Sequence, residues 1–117
     1  MISVVISTYN RSAKLRLALD ALARQEGIAE PDFEVIVIDN NSLDDTKEVA
    51  FGFKDEFNFR YQNEPVQGLG NVRQLGFELS VGKYVAYLDD DAVPDSTWIE
   101  KLLSNVILNY YQYIFQI

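Results

Sequence analysis

The 117-residue chain has no cysteine and no histidine. The first absence excludes disulfides, thiolate zinc sites and thiol nucleophiles. The second excludes histidine-based triads and removes the commonest base at neutral pH. Any proton transfer must therefore use carboxylates, lysine or tyrosine. Positive charge is also scarce: 10 Lys and Arg stand against 18 Asp and Glu, a net charge of −8. A surface for nucleic-acid phosphates needs concentrated Lys and Arg, so no nucleic-acid partner is expected. Long apolar runs are missing too. Met1 to Arg11 lacks the charged start and extended apolar core of a signal peptide. Residues 102–117 are uncharged, but Asn105, Asn109, Gln112 and Gln116 interrupt them. They also fall short of the roughly 18–20 residues of a transmembrane helix. What is present, 48% hydrophobic residues in a chain of this length, fits one small globular unit with a modest core.

The most informative stretch is Tyr84-Val-Ala-Tyr-Leu-Asp89-Asp90-Asp91-Ala-Val-Pro94. Its first half is short, continuous and rich in β-formers, as a buried strand is. Its second half cannot stay buried, because three adjacent carboxylates need water, donors or a cation. Around it the chain alternates strand and helix patterns. Ser3 to Ser7 reads as a strand. Ser12 is placed as the cap of a helix through Leu15, Leu19 and Leu22, with Gly27 just past its end. Phe33 to Ile38 is a second strand. Ser42 and Asp45 have capping-box spacing for a short helix over about 45–53. Asn58 to Gln62 alternates like a half-exposed edge strand. Asn71 to Leu79 is a helix, Tyr84 to Leu88 a strand, and Ser96 the cap of a last helix through Trp98, Ile99, Leu102, Leu103 and Val106. Phe77, Tyr84, Tyr87 and Trp98 are assigned to the core. This alternation predicts an α/β fold, a mostly parallel sheet with helices on both faces.

In a parallel sheet the strand ends Thr8–Arg11, Asp39–Ser42 and Asp89–Asp91 lie along one edge, where such sheets bind ligands. For Asn40, Asn41 and Ser42 an ordinary turn-forming role is as good an explanation as function. For Asp89–Asp91 it is not, since a turn needs one such residue and not three. A twelve-residue calcium loop from Asp89 to Glu100 fails at its fifth and sixth positions, Val93 and Pro94. Mg²⁺ or Mn²⁺ held by one or two carboxylates with substrate phosphates asks only for a short acidic turn. Gly68-Leu-Gly70-Asn-Val-Arg73 breaks the dinucleotide fingerprint at Arg73, and Gly76 to Lys83 is one residue too long for a phosphate-binding P-loop. What survives is a glycine turn opening a helix that carries Arg73, which suits an anion or is an ordinary solvated residue.

Four segments together resemble the inverting family-2 glycosyltransferases. They are Val4-Val-Ile-Ser-Thr-Tyr-Asn-Arg11, Val37-Ile-Asp-Asn-Asn-Ser42 with Asp44 and Thr46, Gly68-Leu-Gly-Asn-Val-Arg73 with Gly76, and Tyr87-Leu-Asp-Asp-Asp-Ala-Val-Pro94 with Trp98. The resemblance implies the GT-A fold, a Rossmann-like sheet, of which this chain would be the nucleotide-sugar-binding half. It implies that Thr8, Tyr9 and Arg11, with Asn10 beside them, line the pocket for base and diphosphate. Asp39 would hydrogen-bond the base, typically uracil, with Asn41 nearby. Arg73 would lie near the diphosphate or ribose and Asp89 toward the ribose, while Asp90 would belong to the nucleotide-sugar-binding set without a role of its own. Asp91, with Asp89, would hold Mn²⁺ or Mg²⁺. The partner implied is a nucleotide-sugar, a UDP-sugar first. The location implied is cytoplasmic, peripheral at the inner membrane face.

Members of this family run on well past the acidic motif. The expectation is therefore a partial domain over 1–117, inactive alone, with the catalytic base beyond residue 117. The aromatic tail 107–117 is atypical and is expected to promote self-association. A non-catalytic nucleotide-binding module and a protein-interaction fragment are the alternatives. A phospho-acceptor signalling domain would need a late lysine, and the last one, Lys101, falls on a predicted helix.

Overall fold

A computed structural model describes residues 1–28, 32–109 and 114–116, with side chains as far as residue 104. Five strands and four helices alternate along the chain: β1 (Ile2–Thr8), α1 (Ser12–Ala23), β2 (Phe33–Asp39), α2 (Thr46–Phe51), β3 (Asn58–Asn63), α3 (Leu69–Leu79), β4 (Tyr84–Asp89), α4 (Trp98–Asn109) and β5 (Ile114–Gln116). The strand order is β3-β2-β1-β4-β5 and every pairing is parallel.

Side chains alternate across a strand, and this assigns the two faces. Ile2, Val4 and Ile6 share one face with Phe33, Val35 and Val37 of β2 and Tyr84, Ala86 and Leu88 of β4. Leu15, Leu19 and Leu22 of α1 cover that face, with Ala50 of α2 and Trp98, Ile99 and Leu102 of α4. On the other face Val5, Ile36, Ile38 and Val85 meet Val72, Leu75 and Leu79 of α3. Burial on both sides is why β1, β2 and β4 read as continuous apolar runs. β3 pairs only with β2 and alternates, as an edge strand should. Gly76 lets α3 close on the sheet, since a Cβ there would lie 2.3 Å from Val5 Cγ1.

Several local expectations need correction. Ser12 is the first residue of α1 and not its cap; Asp44, from the far end of the next loop, accepts the Ser12 N–H at 3.3 Å. The capping box at Ser42 and Asp45 does not form. Ser42 Oγ accepts the Asn10 N–H instead, and Asp44 takes the Thr46 N–H at 3.0 Å. α2 is shorter than expected, and α3 begins two residues early, at Leu69. Asp95, not Ser96, receives the N–H of Thr97 ahead of α4. Gly27 lies beyond the Arg24 cap, in a left-handed turn with φ +72°. Phe77 is 45% exposed, because α3 turns Val72 and Gly76 to the sheet and carries Phe77 off that line. β5 was not anticipated. It pairs through Val85–Tyr87 with β4, while the self-association expected of 107–117 concerns side chains outside the described residues. No helix among the described residues is long and apolar enough to cross a membrane.

Candidate functional site

β1 sits between strands wound in opposite directions, β2 and β3 on one side, β4 and β5 on the other. The carboxyl ends of β1 and β4 therefore form a topological switch point, where the loops diverge and leave a crevice. A crevice of about 280 Å³ lies there, lined by Ser7, Thr8, Tyr9, Arg11, Asn40, Leu69, Val72 and Asp90.

The acidic stretch forms a tight turn at the end of β4, closed by the Ala92 N–H donating to the Asp89 carbonyl at 3.0 Å. The turn divides its three carboxylates. Asp90 is tucked inward and 7% exposed. Its Oδ2 accepts the Thr8 hydroxyl at 2.9 Å, and its Oδ1 lies 3.3 Å from Arg11 Nη1. Burial raises its pKa above the ordinary carboxylate value; the Thr8 hydrogen bond and the Arg11 charge oppose that rise, and neighbouring Asp91 adds to it. Asp89 and Asp91 remain exposed, Asp91 with an oxygen 3.8 Å from the same Arg11 nitrogen. Arg11 is half-exposed, so one guanidinium joins the buried carboxylate to the solvent-facing one.

The other strand ends are wired differently. Asp39 is 2% exposed and both of its oxygens have partners: Oδ1 accepts the Ser42 N–H at 2.9 Å and Oδ2 the Tyr61 hydroxyl at 2.6 Å. Burial, then this hydrogen bond and the Asp39 charge, push the Tyr61 hydroxyl far above its ordinary pKa. Asp39 and Asn41 line a neighbouring recess with Lys47 and Tyr61 and not the crevice itself. Asn10 and Asn41 occupy left-handed backbone positions, φ +50° and +69°, which asparagine tolerates better than most residues. The Asn10 side chain accepts the Leu43 N–H at 2.7 Å and fastens the two loops together. Arg73 lies over the Tyr87 ring, 5.8 Å from its centre, on the α3 side of β4 and away from the crevice lining.

Thr8, Tyr9, Arg11 and Asp90 are thus brought into one crevice. Asp89 and Asp91 flank it, Asp39, Asn10 and Asn41 lie around its margin, and Arg73 lies away from it over Tyr87. Leu69 and Val72 line it without having been singled out, and so does Asn40, for which a turn-forming role and function were equally good explanations. Strand alternation carried a signal for Asn40: it continues the Ile36 and Ile38 face, toward α3, whereas Asp39 continues the Val37 face. For a cation the donor set is all oxygen, as Mn²⁺ or Mg²⁺ prefer. No group of three or more acidic residues forms a complete cage among the described residues. Two solvent-facing carboxylates beside an open crevice, Asp91 loosely paired with Arg11, fit a metal whose remaining ligands come from phosphate and water.

An open parallel sheet with an acidic turn and an arginine at its switch point defines a doubly wound α/β protein with its candidate site at the carboxyl ends of the strands. The model of the family described as Glycosyl transferase family 2 matches residues 3–117, and the chain belongs to that family. The glycosyltransferase AglE of Haloferax volcanii is 34% identical over 108 residues, covering 90% of this chain and 35% of AglE. The crystal structure of S. aureus TarS 1-349 in complex with UDP-GlcNAc superposes with a TM-score of 0.87 at 22% identity, over 93% of this chain and 32% of that one. The mannosyltransferase PcManGT from Pyrobaculum calidifontis, in complex with GDP-Man and Mn²⁺, gives a TM-score of 0.77 at 22% identity, over 91% of this chain and 31% of that one. The chain spans about a third of the length of each.

Proposed function

We propose that this chain is the donor-binding part of an inverting glycosyltransferase and takes a nucleoside diphosphate sugar, UDP-linked first, into the crevice between β1 and β4. The observation that carries this reading is the Thr8–Asp90–Arg11 constellation, with Asp89 and Asp91 exposed on either side of the buried carboxylate and Asp91 loosely paired with the same Arg11. Structures of similar fold captured with UDP-GlcNAc, or with GDP-Man and Mn²⁺, support it.

In this reading Tyr9, with its exposed face, and the apolar pair Leu69 and Val72 receive the base. Asn10 and Asn41 shape the loops around it. Asp39 reaches the base only through the lone pairs left after Ser42 and Tyr61 have been accepted. Asp90 and Thr8 form the floor, Asp89 stands on the ribose side, and Arg11 offers its free N–H groups to the diphosphate; Arg73, over Tyr87, would have to swing toward the ligand to meet it. Mn²⁺ or Mg²⁺ would be held by Asp91 and Asp89, neutralising charge on the departing diphosphate. Arg11 stabilises the same charge directly and, through its tie to Asp90, is held in place before the donor arrives. Inversion requires a carboxylate to take the proton of the attacking hydroxyl. Asp90 is the only carboxylate lining the crevice among the described residues, and Thr8 and Arg11 already occupy it. The single partial domain 1–117 therefore binds donor and does not transfer sugar by itself.

Calorimetric titration of UDP in the presence of Mn²⁺ tests the reading. The expected result is saturable one-site binding that requires Mn²⁺ and weakens at least tenfold in Asp91→Ala. A folded sample that does not bind, or an Asp91→Ala variant that binds as well, overturns it. Release of free sugar from a UDP-sugar at enzymatic rates would overturn the claim of inactivity alone.

A further inference from the structure

Asn40 holds more of the crevice wall than any residue expected to touch a ligand. Its backbone N–H donates to the Thr8 carbonyl at 2.9 Å, tying the end of β2 to the end of β1. Its side-chain Nδ2 donates to two carbonyls of the segment after β3, Glu64 at 2.8 Å and Val66 at 3.0 Å. Its Oδ1 accepts the Gly68 N–H at 3.1 Å, and its backbone carbonyl accepts Gln67 Nε2, also at 3.1 Å. These partners fix the amide's orientation, since an N–H₂ must face the two carbonyls and the oxygen must face the N–H. Gly68 is the cap of α3 and has φ +139°, a conformation side-chain-bearing residues rarely adopt. Immediately after it come Leu69 and, one turn on, Val72, which line the crevice together with Asn40 itself.

We infer that Asn40 is a positioning residue: its carboxamide latches the 64–68 loop and the amino end of α3 to β1 and β2, and so sets the width of the crevice. Its two side-chain donors are both spent on the loop, so its work is done by holding Leu69 and Val72 in place. The amide is specifically required. A carboxylate of the same shape would set negative oxygen against the Glu64 and Val66 carbonyls and lose both bonds, while a longer or shorter side chain would miss one side of the clamp. The consequence for ligand rests on the nucleotide reading of the crevice; the latch itself does not.

The test compares wild type, Asn40→Asp, Asn40→Ser and Gln67→Ala by amide hydrogen exchange over residues 64–72 and by calorimetry with UDP and Mn²⁺. Asn40→Ser removes both donors without adding charge and serves where the aspartate variant does not fold. The expected result is at least tenfold faster exchange at Gly68 and at least tenfold weaker UDP in either Asn40 variant, with less than threefold change in Gln67→Ala. UDP at saturation should slow exchange at residues 68–72 in wild type and no longer do so in the Asn40 variants, an effect that a simple loss of global stability does not produce. Wild-type exchange at Gly68 in the Asn40 variants overturns the latch. Faster exchange there with unchanged UDP affinity overturns its part in the crevice. If wild type binds no UDP, the nucleotide reading fails, and the exchange rate at Gly68 alone decides for or against the latch.

Discussion

Asp39 ends β2 and Asp90 follows β4, and both are nearly hidden from solvent, at 2% and 7% exposure. Their partners separate them. Asp39 is held by a backbone N–H and a tyrosine hydroxyl that belong to its own corner of the fold. Asp90 is held by a threonine and an arginine that themselves line the crevice. Burial of a carboxylate at a strand end therefore does not by itself mark a ligand contact. In the proposed reading the identity of the donors does: neutral donors drawn from the frame brace Asp39, and a half-exposed cation shared with a second, solvent-facing carboxylate sets Asp90 at the site.

The comparison predicts crossed phenotypes. Asp39→Ala should have the largest effect on stability, about 2 kcal/mol in urea unfolding, because two part-buried donors lose their acceptor at roughly 1 kcal/mol each. An equal loss from Asp90→Ala would erase the distinction. Asp90→Asn should weaken UDP and Mn²⁺ by about tenfold or more in calorimetry, near 1.4 kcal/mol. Its stability should change by no more than about 1 kcal/mol, since the lost pair with half-exposed Arg11 is modest and the burial of a charge is relieved. Tyr61→Phe should cost about 1 kcal/mol of stability with UDP affinity retained, which would place Asp39's partner firmly in the frame. The smallest effect should come from Asp44, whose pKa is lowered chiefly by the Thr46 side chain, with the Thr46 and Ser12 N–H groups adding to it. A carboxyl lowered on folding adds stability above its unfolded pKa and loses it as pH falls through the folded one. Asp44→Asn should accordingly flatten the drop in urea midpoint between about pH 5 and pH 2, relative to wild type, since its unfolded carboxyl titrates near 4. An identical drop in both proteins would remove Asp44 from the brace.

Apart from β5, the strands and helices were legible in the sequence because local pattern determines them. The apolar runs of β1, β2 and β4 and the spacing of Leu15, Leu19 and Leu22 report burial directly. The crevice was legible as a place, since parallel strand ends share an edge. The division of labour within it was not. Nothing local to Asp39 reveals that Tyr61, on the next strand, consumes one of its oxygens, and nothing local to Ser12 reveals that Asp44 caps it from 32 residues away. Gly76 looked like part of a broken phosphate motif. Its role is a close approach to Val5, visible only once α3 lies on β1.

One contact has a consequence for how the chain comes together. The Thr8 hydroxyl and the Asp90 carboxylate lie 82 residues apart, and the strands that bear them are neighbours in the sheet. Most of the polypeptide must be looped out before they meet, and the entropy of closing that loop is lost before the contact gives anything back. A ribosome must therefore extrude four strands and three helices before the crevice can exist at all. Any ligand that selects the Thr8–Asp90 contact will favour the state in which this long loop is already closed, and will act as a folding aid as well as a passenger.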